Sequence, residues 1–505
     1  MRTCVWAAAL IVFTVMFSGL VGCQTQHSGG GGRSRAAVAV ASVPVERHDG
    51  WIVIRLAGTP REIGYQHGLA LAADIDDAIR VVKFEMKQEQ PVETRWEFFR
   101  AAAERVSWPR VPREYQEEIE GIARGVQDAG YDYDWKDILM LNASIELPGY
   151  WWPVYKERVS GVLQASGAPQ ACSAFVATGS ATADHGIVMG QNFWWGYLTG
   201  QRFNVMFCVT PEHGRAFVMD GMPGFIHSGT DFAINDAEMM LCETTISGFK
   251  GYDENGVPEF VRMRRAMQYG DSLDSLIGIL KEGNNGGYAN AWLIGDGKTN
   301  EIAKVEMGLL NVVVSRTFDG FYFGANVPED PRIVAECPGQ TPGATSARLE
   351  RWKQVLEANR GKVDVMLAQS FLGDTTHATN GKRGASGDTL CGRSDLDPGR
   401  GFRPGGAVSN RVTNSAMAKE LELWAKWGFA DGSRFDASDY FRGRSSRASG
   451  VEGVAEGYCG GALGCGEGWI TKMNTRQPKS TGWHVSRYGE TRADVTDPTG
   501  AAHVY

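Results

Sequence analysis

The 505-residue chain is 43% hydrophobic and 22% charged, a composition that excludes a disordered protein. Its formal charge is −8, and no dense basic stripe reverses that balance, which excludes a nucleic-acid partner. The length suits about two to three domains.

The chain opens on Arg2, followed by an almost wholly apolar run from Val5 to Leu20 and then Leu20-Val21-Gly22-Cys23. A basic start, a short apolar core and small residues before a cut describe a secretory signal over residues 1–22. The Leu-Val-Gly-Cys ending resembles the bacterial lipobox, in which the Cys is lipidated and becomes the mature N-terminus. A plain signal peptide and a short membrane anchor are the alternatives. The lipobox reading makes Cys23 the lipidation site. It places an exported protein at the periplasmic or outer-membrane surface, because Gln24 is not the Asp that retains lipoproteins at the inner membrane. No later stretch reaches the ~18 apolar residues of a spanning helix. Residues 23–48, with Gly29 to Gly32 in a row, read as a flexible tether.

A mostly helical segment is expected over 49–171, after an initial strand at Ile52 to Leu56. Tyr115, Ile119, Ile122 and Val126 recur at helical spacing, with Gly130 as a stop. Trp135, Ile138, Leu139 and Asn142 continue in a second helix, and Pro148, Gly149 and Pro153 are expected to break the pattern. The character changes at Cys172. Ser173 to Ala177 reads as a strand, Ala183 to Gly186 as a turn and Ile187 to Asn192 as the returning strand. Further strands are expected at Phe203–Val209, Ala216–Met219 and Met239–Ile246. One helix is expected after Pro258, and a second carries Leu273, Leu276, Ile277 and Leu280. Strands return at Ala291–Ile294, Ile302–Glu306, Leu309–Ser315 and Phe321–Phe323. Strands, a helix pair and strands again give an α+β class, with a core over 172–440 and a Gly/Ser/Arg-rich extension over 441–505.

Nine cysteines are present. Cys4 leaves with the signal. In an exported chain Cys208, Cys242, Cys337, Cys391, Cys459 and Cys465 are open to oxidation, with Cys459 and Cys465 the plausible local pair. No paired CxxC spacing supports zinc, and no cofactor or metal is expected.

Several motifs in order resemble known hydrolases over roughly residues 50 to 430. Gly58-Thr59-Pro60-Arg61-Glu62-Ile63-Gly64-Tyr65-Gln66-His67-Gly68 is similar to the opening motif of the acyl-coenzyme A:6-aminopenicillanic acid acyltransferase family, the C45 peptidases. Cys172-Ser173-Ala174-Phe175 with Gly190-Gln191-Asn192-Phe193-Trp194 resembles the nucleophile hairpin of that family and of the phospholipase B-like proteins. Glu243-Thr244-Thr245-Ile246, Tyr288-Ala289-Asn290-Ala291-Trp292, Asn326-Val327-Pro328, Arg393-Ser394-Asp395-Leu396 and Arg411-Val412-Thr413 lie closer to the phospholipase B-like pattern. The resemblance implies a four-layer αββα sandwich of the N-terminal-nucleophile hydrolase type. It also implies autocatalytic cleavage between Ala171 and Cys172.

In that reading Cys172 is the nucleophile. A thiol needs a base, and a Cys at a new N-terminus carries one in its own α-amine, of reference pKa ~8. A structural Cys in a strand is the alternative. Asn326, after a strand, is the first candidate for the donor that meets the developing oxyanion, and Asn290 the second. Arg348 stands where relatives carry a supporting Arg, able to pair with Glu243 or to hold a substrate anion by its planar fork. Glu243 lies in an apolar strand run and needs a partner if buried. One departure is plain: Trp194 stands where the acyltransferase branch has the Asp that contacts the nucleophile amine, which favours the phospholipase B-like branch. Trp151, Trp152, Trp194 and Trp195 are candidates for an acyl pocket, or for core packing. His67 reads as structural. The implied function is a self-processing cysteine hydrolase of amide or acyl-ester bonds in a small or lipid-like acyl substrate, held to a membrane by its lipid. A penicillin-type acyltransferase and an inactive lipid-anchored binding protein are the alternatives.

Overall fold

Among the described residues, fifteen strands carry the computed structural model: β1 (Val45–His48), β2 (Trp51–Gly58), β3 (Ser173–Thr178), β4 (Val188–Gly196), β5 (Val205–Pro211), β6 (Phe217–Gly221), β7 (Ala233–Asn235), β8 (Met239–Thr245), β9 (Asn290–Asp296), β10 (Glu301–Met307), β11 (Val312–Thr317), β12 (Gly320–Gly324), β13 (Gly405–Asn414), β14 (Glu422–Trp427) and β15 (His484–Arg487). The structure describes residues 43–89, 94–161, 172–340, 346–398, 404–433 and 435, and the backbone of 484–487. Among these, the strands form a nine-stranded sheet in the order β1-β2-β5-β6-β7-β8-β9-β10-β11 and a six-stranded sheet in the order β12-β3-β4-β13-β14-β15. The expectations for Cys23, Ala171 and the Cys459–Cys465 pair fall outside the described residues.

Alternation along the strands explains the packing. Successive side chains point to opposite faces, and here both faces of the central strands β3, β5 and β8 are covered. On β5, Val205, Phe207 and Val209 join one apolar cluster, which includes helix residues Ile75, Ile79, Ile119, Ile122 and Leu139. The intervening Met206 and Cys208 join a second cluster with Ala174 and Val176 of β3 and Met189 of β4. On β3 the remaining side chains, Phe175 and Ala177, meet Trp352, Val355, Leu356 and Phe371 in a third. The second cluster therefore lies between the two sheets, while the first and third pack helices against the sheets' other faces. Strands buried on both faces read as near-continuous apolar runs, which is how β3, β5 and β8 appear in the sequence. The result is a mixed α+β fold built on two large sheets.

The expected helices form at Arg113–Asp128, Trp135–Asn142, Glu259–Tyr269 and Leu273–Lys281. Three readings need correction. The tether assigned to 23–48 runs into β1, which pairs antiparallel with β2. Pro148 and Pro153 do not break the chain: each lies in the first turn of a helical segment, Leu147–Trp151 and Trp152–Ser160, a position that proline favours. The strand expected from Leu309 begins at Val312, because the backbone N–H groups of Leu309, Leu310 and Asn311 turn onto the Glu336 carboxylate. The short β7 has too few residues to show a period. The described residues from Val43 onward belong to one compact unit. No helix among the described residues is long and apolar enough to cross a membrane. Cys172, Cys208, Cys242, Cys337 and Cys391 are buried free thiols.

The opening motif forms the helix Pro60–Ala70, capped by a reciprocal Thr59–Glu62 box. Its glycines seat that helix against Arg113–Asp128. A Cβ on Gly64 would fall 2.0 Å from the Glu118 carbonyl oxygen, and one on Gly68 2.0 Å from that of Ile122. Gly121 and Gly125 make the same close approach from the other side. His67 is buried, packs 4.9 Å from Phe207 and accepts from the Gly224 N–H at 2.9 Å. Burial pulls it down to about 3, so it stays neutral. Gly68→Ala is expected to cost at least about 1–3 kcal/mol through overpacking. Urea unfolding measures it, and an unchanged midpoint would contradict backbone-to-backbone packing here.

Candidate active site

The two sheets converge where their strand ends carry polar residues. Gly324 at the end of β12 makes room for this: a Cβ there would sit 2.3 Å from the Thr244 hydroxyl on β8 of the other sheet. Cys172 immediately precedes β3, and β3 pairs with β12 in the register Ala174 to Gly324, which brings Asn326 beside it. Glu243 and Thr245 project from β8, and Thr245 faces Asn290 of β9.

One helix holds the backbone of the nucleophile candidate. The helix Ala347–Ala358 is capped by the Ser346 hydroxyl, and residues four apart share a face. Arg348 donates through Nη1 to the Cys172 carbonyl at 2.7 Å and through Nη2 to Asn326 Oδ1 at 2.9 Å. One turn on, Trp352 Nε1 donates to the Ser173 hydroxyl at 2.7 Å. The guanidinium also lies 4.3 Å from the Trp194 ring centre. Asn326 Nδ2 in turn donates to the Thr245 carbonyl at 2.8 Å, so the amide is fixed at both ends. Cys172 itself is fully buried and has φ 121°, a conformation that L residues other than Gly rarely adopt.

Glu243 is fully buried and surrounded by neutral donors. Cys172 Sγ donates to Oε1 at 3.5 Å, Tyr288 Oη to Oε1 at 3.3 Å and Thr245 Oγ1 to Oε2 at 3.5 Å. With the Asn290 amide turned so that its nitrogen faces acceptors, it donates to Glu243 Oε2 at 2.8 Å and to the Ala289 carbonyl at 3.1 Å. Burial pushes the Glu243 carboxyl up to about 8. Burial, then the charge of Glu243, push the Cys172 thiol well above its ordinary value, so with its nitrogen still acylated the residue holds its proton at neutral pH.

All five candidates, Cys172, Asn326, Asn290, Arg348 and Glu243, thus meet at one place. Asn290 faces Glu243. The sequence reading did not single out Tyr288 and Thr245 as site residues. The other named motifs support the surroundings. Arg411 of β13, opposite Gln191 of β4, makes a buried ion pair with Asp220. Arg393 pairs with Asp395, which accepts from Tyr197 at 2.6 Å. Trp151 and Trp152 join Phe98, Phe99 and Tyr155, while Trp195 packs on Phe193 and Phe203. Trp194, under the Arg348 guanidinium, is the one of the four tryptophans that touches a candidate site residue in this way.

The Phospholipase B family model matches residues 78–317, on the phospholipase B side of the two resemblances. That stretch holds Cys172, Glu243 and Asn290 and stops short of Asn326 and Arg348. An uncharacterized protein of Archaeoglobus fulgidus is 27% identical over 264 residues, 50% of this chain and 42% of the relative. The chain thus spans less than half the length of that relative. Among solved structures, a mutant of conjugated bile acid hydrolase from Clostridium perfringens aligns with a TM-score of 0.32 and 13% identity, covering 51% of this chain and 89% of that one.

Folded Glu243 keeps its proton to about pH 8, whereas the unfolded carboxyl loses it near the ordinary value. Its contribution to stability is therefore full below the ordinary value and falls as pH rises through about 8. Relative to Glu243→Gln, a neutral isostere of the protonated acid, the wild type is expected to lose up to about 1.4 kcal/mol per pH unit between about pH 5 and 8. Urea unfolding at several pH values compares the two, and parallel curves would contradict the assignment.

Proposed function

We propose that the chain is a self-processing N-terminal-nucleophile hydrolase, its fold a four-layer αββα sandwich, which cleaves amide or acyl-ester bonds of a small or lipid-like substrate with Cys172. The Phospholipase B match supports hydrolase chemistry. The observation that carries the rest is Cys172 itself. It lies at the mouth of β3 with a positive φ, its carbonyl held by Arg348 and its thiol against Glu243. A non-glycine residue kept in such a conformation costs about 1–3 kcal/mol and persists only where its surroundings impose it.

In the precursor the thiol proton passes to the small fraction of Glu243 that is ionised below about pH 8, and sulfur attacks the Ala171 carbonyl carbon. The C–N bond breaks as nitrogen takes a proton, leaving a thioester. Water opens the thioester, returning the thiol and releasing the Ala171 carboxylate. The freed α-amine is then the base for turnover. It takes the thiol proton as sulfur attacks the substrate acyl carbon and gives it to the departing amine or alcohol, and water completes hydrolysis. Asn326 meets the oxyanion. The Asn326 amide nitrogen, which donates to the Thr245 carbonyl, is the donor for the developing charge. Arg348 fixes the Asn326 oxygen, which sets where the nitrogen points. Lipidation of Cys23 would hold this chemistry at a membrane surface on the periplasmic or outer-membrane side.

Cys172→Ala is expected to leave one folded chain where the wild type gives two, one ending at Ala171 and one beginning at Cys172, as read by intact-mass spectrometry. Cleavage of that variant at the same bond would assign the cut to another protease. On a panel of p-nitrophenyl acyl esters and fatty-acyl amides, Asn326→Ala is expected to lose about 10²–10³ in kcat with its unfolding midpoint little changed. Full activity in the variant would remove Asn326 from the reaction.

A further inference from the structure

Beside the nucleophile lies a second buried polar cluster that the reaction above does not use. His227, Asp231 and Glu259 each offer one ligand atom, and these atoms all lie within 4.8 Å of one another. The three side chains are essentially inaccessible. Both ring nitrogens of His227, both carboxylate oxygens of Asp231 and Oε1 of Glu259 make no hydrogen bond to protein. Five such atoms in one place are far outside what a folded chain tolerates: an unsatisfied buried polar group costs about 1–3 kcal/mol, more when charged.

The neighbouring cation does not resolve the deficit. Arg262 directs its guanidinium at the Val257 and Leu280 carbonyls, Asn285 Oδ1 and Met307 Sδ. Glu146 adds a further buried carboxylate, accepting from the Glu259 and Phe260 N–H groups and from Asn285. The donors themselves are firmly placed. The His227 ring stacks on Phe225 at 4.6 Å and 12° and packs 5.7 Å from Phe260. Asp231 is held in a left-handed turn at φ 53°, its N–H bound to the Ser228 carbonyl. Glu259 opens the helix Glu259–Tyr269.

We propose that His227, Asp231 and Glu259 form a binding site for a first-row divalent transition metal, of the zinc or manganese class. One imidazole with two carboxylates is a ligand set those ions accept, whereas calcium and magnesium favour oxygen alone. Ligands about 2.0–2.2 Å from an ion lie at most about 4.4 Å apart, so small side-chain rotations close the cluster. Such an ion takes one ligand atom from each of the three residues and cancels carboxylate charge next to Cys172. The sequence offered no signal for it, since His227 and Asp231 share one loop and Glu259 joins them only through the fold.

The test uses the full chain, stripped with dipicolinate and titrated separately with Zn²⁺ and Mn²⁺, with bound metal read by mass spectrometry and Tm by circular dichroism. The wild type is expected to take up about one equivalent beyond any metal retained by Asp231→Asn/Glu259→Gln, and its Tm to rise on loading. That difference separates the site from zinc held by free cysteines. If the variant does not fold, the stripped and reloaded wild type decides alone, with His227→Gln as the second comparison. Equal uptake by wild type and variant, or a stripped wild type that binds neither ion and keeps its Tm, would overturn the proposal and leave the two acids as neutral, protonated groups.

Discussion

Arg348 is the point on which the site depends. A guanidinium presents its donors in a rigid plane, so one side chain sets the Cys172 carbonyl and the Asn326 amide relative to each other. Neither target lies on the helix that carries Arg348, and the two come from different ends of the chain's central region. The fork therefore converts the packing of a helix on a sheet into the relative position of a nucleophile candidate and an amide. Trp352, one turn along, fixes the next residue, so the start of β3 is held at two points.

The setting raises the cost of every charge. Glu243 sits among a thiol, a phenol, a hydroxyl and an amide, and no cationic group is among those donors. Burial alone moves its proton affinity toward neutrality. A carboxyl of this kind both stores and releases a proton near working pH, a property of groups matched to proton transfer. Arg411, by contrast, meets its own carboxylate in Asp220.

The strands of the central region were largely legible because burial on both faces leaves near-continuous apolar runs, and the helices because their apolar residues recur at helical spacing. The misreadings have local causes. Pro148 and Pro153 looked like breakers because a first-turn proline and an interior one are the same letter until the helix start is known. Val45 to His48 looked like tether because four residues, three of them polar, show no apolar period, although the partner strand β2 follows directly after Asp49 and Gly50. Cys172, Asn326, Asn290, Arg348 and Glu243 came from ordered motifs. Tyr288 was in plain view within one of them, yet nothing in the sequence says that a tyrosine two residues from Asn290 faces Glu243. His227, Asp231 and Glu259 carry no motif at all. Gly64 and Gly68, within the opening motif, serve helix packing.

The parallel pairing of β2 with β5 has a consequence for the life of the molecule. Residues before 172 supply an interior strand of the nine-stranded sheet, and their helices fill its apolar face. A chain cut after Ala171 would stay whole, stitched by a ladder of backbone hydrogen bonds and a shared core. Its unfolding would nonetheless change character. The intact precursor folds as a single molecule at any dilution, whereas the cut form, once melted, is two strangers whose reunion slows as they are diluted. Cleavage would act as a ratchet on assembly, leaving a mature form that holds together well but is poorly equipped to be made twice.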